Sequence, residues 1–147
     1  MDIEQYIGKP YRPGAEGPGA YDCWGLARSI AADRGFDLPR QRSQAGADLR
    51  LDLFAGREPA GLIKLDAPEP WALIVFDLKR FGLHVGTVIA EPGRFIHVAE
   101  LTGTARLDRL SNPLFSKPYG QYRFENRIHR TAADSAGKPV VAPGSDA

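Results

Sequence analysis

Three side chains in this 147-residue sequence have the chemistry for nucleophilic catalysis: Cys23, the one cysteine, and two of the three histidines, His84 and His97. A thiol attacks as its thiolate, so it needs a base to take its proton, and an imidazole base needs a third group to hold its ring in one tautomer. Cys23 stands in "GAYDCWGLAR" (residues 19–28), where Asp22 fits the N-cap of a helix that the cysteine begins. The unpaired N–H groups and partial positive charge of a helix N-terminus stabilise a thiolate, and they can draw a thiol pKa well below its ordinary value of about 8.5, more so beside a protonated imidazole. Cys23 also falls on an apolar stripe, however, and a lone cysteine on such a stripe is more often packing than catalysis. The histidines change that weighing.

His97 lies between Ile96 and Val98, and an imidazole inserted into an apolar strand needs a purpose or a partner. His84 opens another strand after the loop "KRFG". If the turn "EPGR" pairs residue 91 with residue 94, His97 falls opposite Val88, which shares a face with His84. Both rings then point the same way but stand four residues apart along the sheet, about 13 Å, so contact needs a bulge or a different register. Cys23, His84 and His97 are also a chemically reasonable three-ligand set for zinc, which is kept as an alternative. His129, in the run-up to the C-terminal stretch, is read as an ordinary surface or structural residue.

The elements that must position these groups follow from periodicity. Cys23, Leu26, Ala27, Ile30 and Ala31 recur at helical spacing, with Gly35 as C-cap. "DIEQYI" (2–7) reads as a short opening helix capped by Asp2, and "LPRQRSQAGADLR" (38–50) as a weaker second helix. "EPAGLIKLDAPEP" reads as an irregular, proline-studded connection. Then come five strand candidates: residues 71–78, 84–90, 94–100, 104–110 and 122–128. Helices followed by an antiparallel meander make an α+β layout, with N-terminal helices packed on a sheet of about five strands. Residues 1–128 read as the folded domain, and 129–147, small, polar and proline-bearing, as a flexible tail.

Composition narrows the function. Nineteen basic and 18 acidic residues leave a formal net charge of +1, and the arginines are scattered, which argues against nucleic-acid binding. The longest apolar run, "WALIVF", is far too short to span a bilayer, and "MDIEQYIGKP" lacks the basic start and apolar stretch of a secretory signal, so a soluble chain made in the cytoplasm is expected. One cysteine excludes an internal disulfide and a Cys-x-x-Cys metal clip.

The blocks "YDCWGLAR", "GFDLPR", "LHVGTVIA" and "RFIHVAE" together resemble the NlpC/P60 family of papain-like cysteine peptidases. That family's pattern is an Asp-Cys-Ser-Gly-Leu block, a Leu-Pro-Arg after the first helix, a His-Val-Gly strand and a Phe-Ile-His-Ala strand. The resemblance spans about residues 5 to 110, in order and with matching spacing. It implies Cys23 as nucleophile, His84 as general base and acid, and His97 as the residue that orients His84. It also implies part of an oxyanion hole at the Cys23 backbone N–H, and Tyr11 and Asp22 lining the groove where a substrate's free amine is met. The substrate implied is a peptidoglycan stem peptide, cut at the bond between D-γ-glutamyl and the diamino acid, with no metal or organic cofactor.

Two departures stand out: Trp24 replaces the family's serine, and the Gly-Asp before the central strand is replaced by "EPWALIVFDL". Trp24 is read equally as core or as part of the substrate groove. Together with the small stand-alone domain and the missing signal peptide, it brings the chain nearest to the phage branch, the tail-tip peptidases of siphophages and gene transfer agents. Phage tail-tip or baseplate proteins are then the implied partners, and a virion acting on the host cell wall the implied location. The alternatives are a structural tail component with an idle site, or a thiol acyltransferase or amidase on the same fold.

Overall fold

A computed structural model describes residues 2–78, 82–91, 93–113, 115 and 120–125. After a single 3-10 turn, Ile3–Gln5, capped by Asp2, a proline- and glycine-rich loop leads to α1, Cys23–Asp33. The Asp22 side chain accepts the Gly25 N–H at 2.6 Å, which fixes where α1 starts and therefore where Cys23 sits. Gly25 is required at the next turn: a Cβ there would lie 2.4 Å from the Ala15 carbonyl oxygen, so the preceding loop packs directly on the helix backbone. The second helix, α2, is Gln44–Phe54, shifted toward the C-terminus from the expected 38–50, because Ser43 caps it by accepting the Gly46 N–H.

Six strands follow: β1 Leu62–Leu65, β2 Leu73–Asp77, β3 Leu83–Val88, β4 Arg94–His97, β5 Arg106–Arg109 and β6 Gly120–Phe124. They form one antiparallel sheet in the order β1-β6-β2-β3-β4-β5. The α+β layout is as the sequence implied, with two corrections. The expected meander holds from β2 to β5, but β6 returns across the sheet to pair with β2. It also pairs with β1, a strand in the segment read as irregular. That segment hides β1 because it is a four-residue edge strand with exposed Lys64, flanked by prolines, which is how sheet edges are kept from pairing further.

The sheet buries both faces. On one, Leu73, Val75, Val85 and Tyr122 pack under Trp24, Ala27 and Ala31 of α1 and Leu49 and Leu53 of α2. Leu26 and Ile30 continue this contact onto Ile96 and Val98. On the other face, Ile74, Phe76, Val88, Phe95 and Phe115 make a second apolar cluster. Among the described residues, no helix is long and apolar enough to cross a membrane. His129 and the stretch read as a tail lie outside the described residues.

Candidate active site

Three polar side chains are buried among the described residues: His84 at 3% exposure, His97 at 1% and Thr87 at 4%. Burying two imidazoles is costly unless their ring nitrogens are bonded, and here they bond to each other. His84 Nε2 lies 2.8 Å from His97 Nδ1, with the rings edge-on and their centroids 5.0 Å apart. The 13 Å separation expected from the sequence is therefore corrected, and the cause is the turn. Ile89, not residue 91, bonds to Arg94, and β3 and β4 pair Thr87 with Ile96 and Val88 with Phe95. Continued, that register sets His97 opposite Gly86, a diagonal neighbour of His84 on the same face, so no bulge is needed. Gly86 makes the approach possible, because a Cβ there would lie 2.9 Å from Phe95 Cδ2 and 3.2 Å from His97 Cβ.

Behind His97 is a residue the sequence reading missed. His97 Nε2 lies 2.6 Å from Asp108 Oδ2, and Asp108 is gripped in turn by Arg106 through Nε at 3.0 Å and Nη2 at 3.1 Å. The β4–β5 register pairs His97 with Arg106 and Phe95 with Asp108, so all four share one face. The signal was present in "TARLDRL", where Arg and Asp alternate on a strand following the histidine strand, but such a pair reads as a solvated edge until the pairing is known.

This chain fixes every proton. Burial pushes the Asp108 carboxyl up, but the hydrogen bonds from Arg106 and His97 outweigh it and hold the group below its ordinary range. An ionised carboxylate only accepts, so His97 donates from Nε2 and its Nδ1 is bare. His84 must then donate from Nε2 to His97 Nδ1, which leaves His84 Nδ1 as the bare nitrogen of the base. Burial, and then the neighbouring His97, lower the His84 pKa to about 3. Burial also lowers that of His97, against the opposing pull of Asp108. Both rings rest neutral. The same bonds engage three of the four ring nitrogens, so zinc would have to break the chain, and no group of three His, Cys, Asp or Glu among the described residues is placed to hold a metal.

Cys23 and His84 line one groove of about 290 Å³ together with Tyr11, Leu83, Val98 and Glu100. Burial pushes the Cys23 thiol up to about 11, the N–H groups of Val85, Trp24 and Cys23 itself pulling the other way and Asp22 adding to the rise. The helix N-terminus thus fails to give the low thiol pKa expected, because desolvation exceeds what three N–H groups return. The resting pair is neutral thiol and neutral imidazole. Tyr11 stays a protonated phenol, its pKa raised by burial and then by Cys23, Glu100 and Asp22. Asp22 performs the expected N-cap role and lines the adjoining hollow. Trp24 proves to be core: it is 2% exposed and gives its Nε1–H to the Pro39 carbonyl at 2.8 Å, reaching only the wall of a neighbouring hollow.

The sequence model of the NlpC/P60 family matches residues 8–124. No curated protein sequence matches the chain. Among solved structures, an NlpC/P60 family protein from Bacillus cereus is similar with a TM-score of 0.60 and 20% identity over 81% of this chain and 36% of that one. NlpC2 from Trichomonas vaginalis is similar with a TM-score of 0.61 and 20% identity over 83% of this chain and 44% of that one. The NlpC/p60 domain of the peptidoglycan hydrolase SagA gives a TM-score of 0.58 and 18% identity over 83% of this chain and 92% of that domain. The chain thus spans less than half the length of the first two and nearly all of the third. At these identities the likeness is one of fold.

Proposed function

This chain belongs to the NlpC/P60 family of cysteine peptidases and peptidoglycan hydrolases, and from that premise we propose that it is a cysteine endopeptidase cutting peptidoglycan stem peptides at the D-γ-glutamyl–diamino acid bond. The observation that carries the reading is the chain of bonds from His84 through His97 to Asp108, which sets a bare imidazole nitrogen on the base that shares a groove with Cys23.

In this reading the Cys23 thiol gives its proton to His84 Nδ1 as Sγ attacks the scissile carbonyl. The proton moves during attack rather than before it, since both groups rest neutral. The positive charge formed on His84 is met through His97 by the Asp108 carboxylate. The N–H at the start of α1 faces the developing oxyanion. His84 then protonates the leaving amine, a thioester remains on Cys23, and water deprotonated by His84 releases the acyl product as its acid. The reaction needs no organic cofactor or metal.

A finer proposal is that the domain is carried in a phage or gene-transfer-agent tail tip, held by tail or baseplate proteins. Trp24 in the serine position supports it, as one feature in which the chain resembles that branch. Both proposals are testable. Purified protein and a Cys23→Ala control are incubated with peptidoglycan and soluble stem peptides, with and without a competing amine, and the products read by mass spectrometry. Hydrolysis at the γ-glutamyl bond that vanishes in the control supports the peptidase. Transfer to the amine in place of hydrolysis makes it an acyltransferase, and no reaction with either substrate sinks the reading. Purified particles free of this chain would overturn the tail-tip role.

A further inference from the structure

The groove continues past the nucleophile. Tyr11 is shared between the catalytic groove and a second hollow of about 580 Å³, whose wall also holds Asp22, Gln41, Arg42 and Arg50. Asp22 sits one residue before the nucleophile, so this hollow flanks Cys23 on the side of Tyr11 and the α1 N-terminus.

Its charge is unbalanced. Five arginines elsewhere are matched with carboxylates: Arg57 with Asp52, Arg94 with Glu91, Arg106 with Asp108, Arg123 with Glu69 and Arg40 with Glu16. Arg50 is different. It is partly buried in the wall, and its Nε is buried with no hydrogen-bond partner among the described residues, a donor that is costly to leave dry. Arg42 stands beside it in the same wall, exposed, and a Cβ on Gly14 would fall 2.8 Å from its Nη2, so the glycine leaves room for the guanidinium. The carboxylate within reach, Asp22, has one oxygen committed to the Gly25 N–H at 2.6 Å. Two arginines therefore line a hollow whose one lining carboxylate, Asp22, is already engaged at the helix cap.

We infer that this hollow is a carboxylate subsite in which Arg50, assisted by Arg42, takes the unlinked α-carboxylate of the glutamyl residue on the acyl side of the cut bond. The inference rests on the peptidase reading above. It follows from the linkage chemistry: a γ-linked glutamate runs its chain through the side-chain carboxyl and leaves the α-carboxylate free and charged on the acyl side of the cut bond. A guanidinium fork matches a carboxylate with two parallel hydrogen bonds, and a neutral carboxamide of the same shape forfeits the charge. The subsite thus selects the unamidated stem.

The test uses two synthetic stem peptides, L-Ala-γ-D-Glu-diaminopimelate with a free α-carboxylate and the same peptide with an α-carboxamide. The wild type is expected to prefer the carboxylate by roughly 10- to 100-fold in kcat/KM, carried by KM, as for a charge-assisted hydrogen bond. Arg50→Gln and the Arg42→Gln/Arg50→Gln pair bring that ratio toward one, and Arg50→Lys retains part of it. A preference that survives in the double variant, or an equal loss for both peptides, overturns the subsite. If the wild type cuts neither peptide, the peptidase reading falls. The subsite is then decided by titrating both peptides into Cys23→Ala: selective carboxylate binding lost with Arg50→Gln upholds it, and equal or absent binding overturns it.

Discussion

The two sides of the groove hold their polar groups in opposite ways. On the sheet side, His84, His97 and Asp108 form a chain of short bonds among Phe76, Phe95 and Phe115, with ring centroids 4.6 to 6.1 Å apart, and His97 is 1% exposed. On the helix side, Tyr11, Asp22, Arg42 and Arg50 line open hollows, and the Arg50 Nε lacks a partner among the described residues. The first region has every proton assigned before a substrate arrives, and the second has hydrogen-bonding capacity left over. The difference teaches which half sets the rate and which sets the choice of substrate: changes on the sheet side should appear in kcat, changes on the helix side in KM.

The sharpest way to break that division is Asp108→Asn. An asparagine amide can donate to His97 Nε2, which reverses both tautomers and places the proton on His84 Nδ1, where the base must be bare. We expect kcat to fall on the order of 100-fold with KM nearly unchanged, and further than in Asp108→Ala, which imposes no tautomer. Imidazole nitrogen chemical shifts report the reversal independently of activity. A purely structural Asp108 would make the alanine variant the worse of the two and leave the tautomers in place.

Gly86→Ala attacks the same chain through the backbone. The added Cβ meets Phe95 Cδ2 at 2.9 Å and the Ile96 oxygen at 3.0 Å, so β4 must shift and carry His97 away from His84. A loss of about 1–3 kcal/mol in denaturant unfolding is expected, with roughly a 10-fold fall in kcat. Unchanged stability would mean that β4 has slack the packing does not show.

How much of this was legible beforehand depended on whether a residue's meaning is local. Cys23, Asp22 and the start of α1 are local: a capping residue, a stripe and a glycine suffice to place them. The His84–His97 contact is not, because it turns on a shift of two residues in one hairpin, set by the Ile89–Arg94 bond within the turn. Asp108 was invisible because its significance depends on which strand lies beside β5. Trp24 could be divided between core and groove only by knowing that the Pro39 carbonyl lies within reach of its indole. The place of β6 between β1 and β2 is a long-range pairing that no window of sequence contains.

Acid sharpens the comparison on the stability side. His84 and His97 are held below their ordinary value near 6.5, so the unfolded chain binds more protons than the folded one below that pH. Stability is then full above about 6.5 and falls as pH drops toward about 3, with a slope of up to about 1.4 kcal/mol per pH unit for each histidine. Asp108, held low in the fold, adds a further loss below about 4. Melting temperatures between pH 7.5 and 4 check this, and the decline should flatten in a His84→Gln/His97→Gln variant. Arg42→Gln and Arg50→Gln should leave the curve's shape alone.

The smallest effect is expected at Trp24→Phe, which removes the Nε1–H bond to Pro39 and little else, about 1 kcal/mol in unfolding with cleavage kept. A large loss of activity at full stability would move Trp24 from the core into the substrate groove.

The most direct test of the central claim, that Cys23 is a nucleophile served by the histidine chain, is a rapid acid quench of the enzyme with a stem peptide, followed by intact-mass and peptide mapping. A thioester carrying the γ-glutamyl fragment on Cys23, absent in Cys23→Ala and slower to form in Asp108→Asn, is the result expected. Cleavage that persists in Cys23→Ala, or that proceeds with the fragment on any other residue, would contradict it.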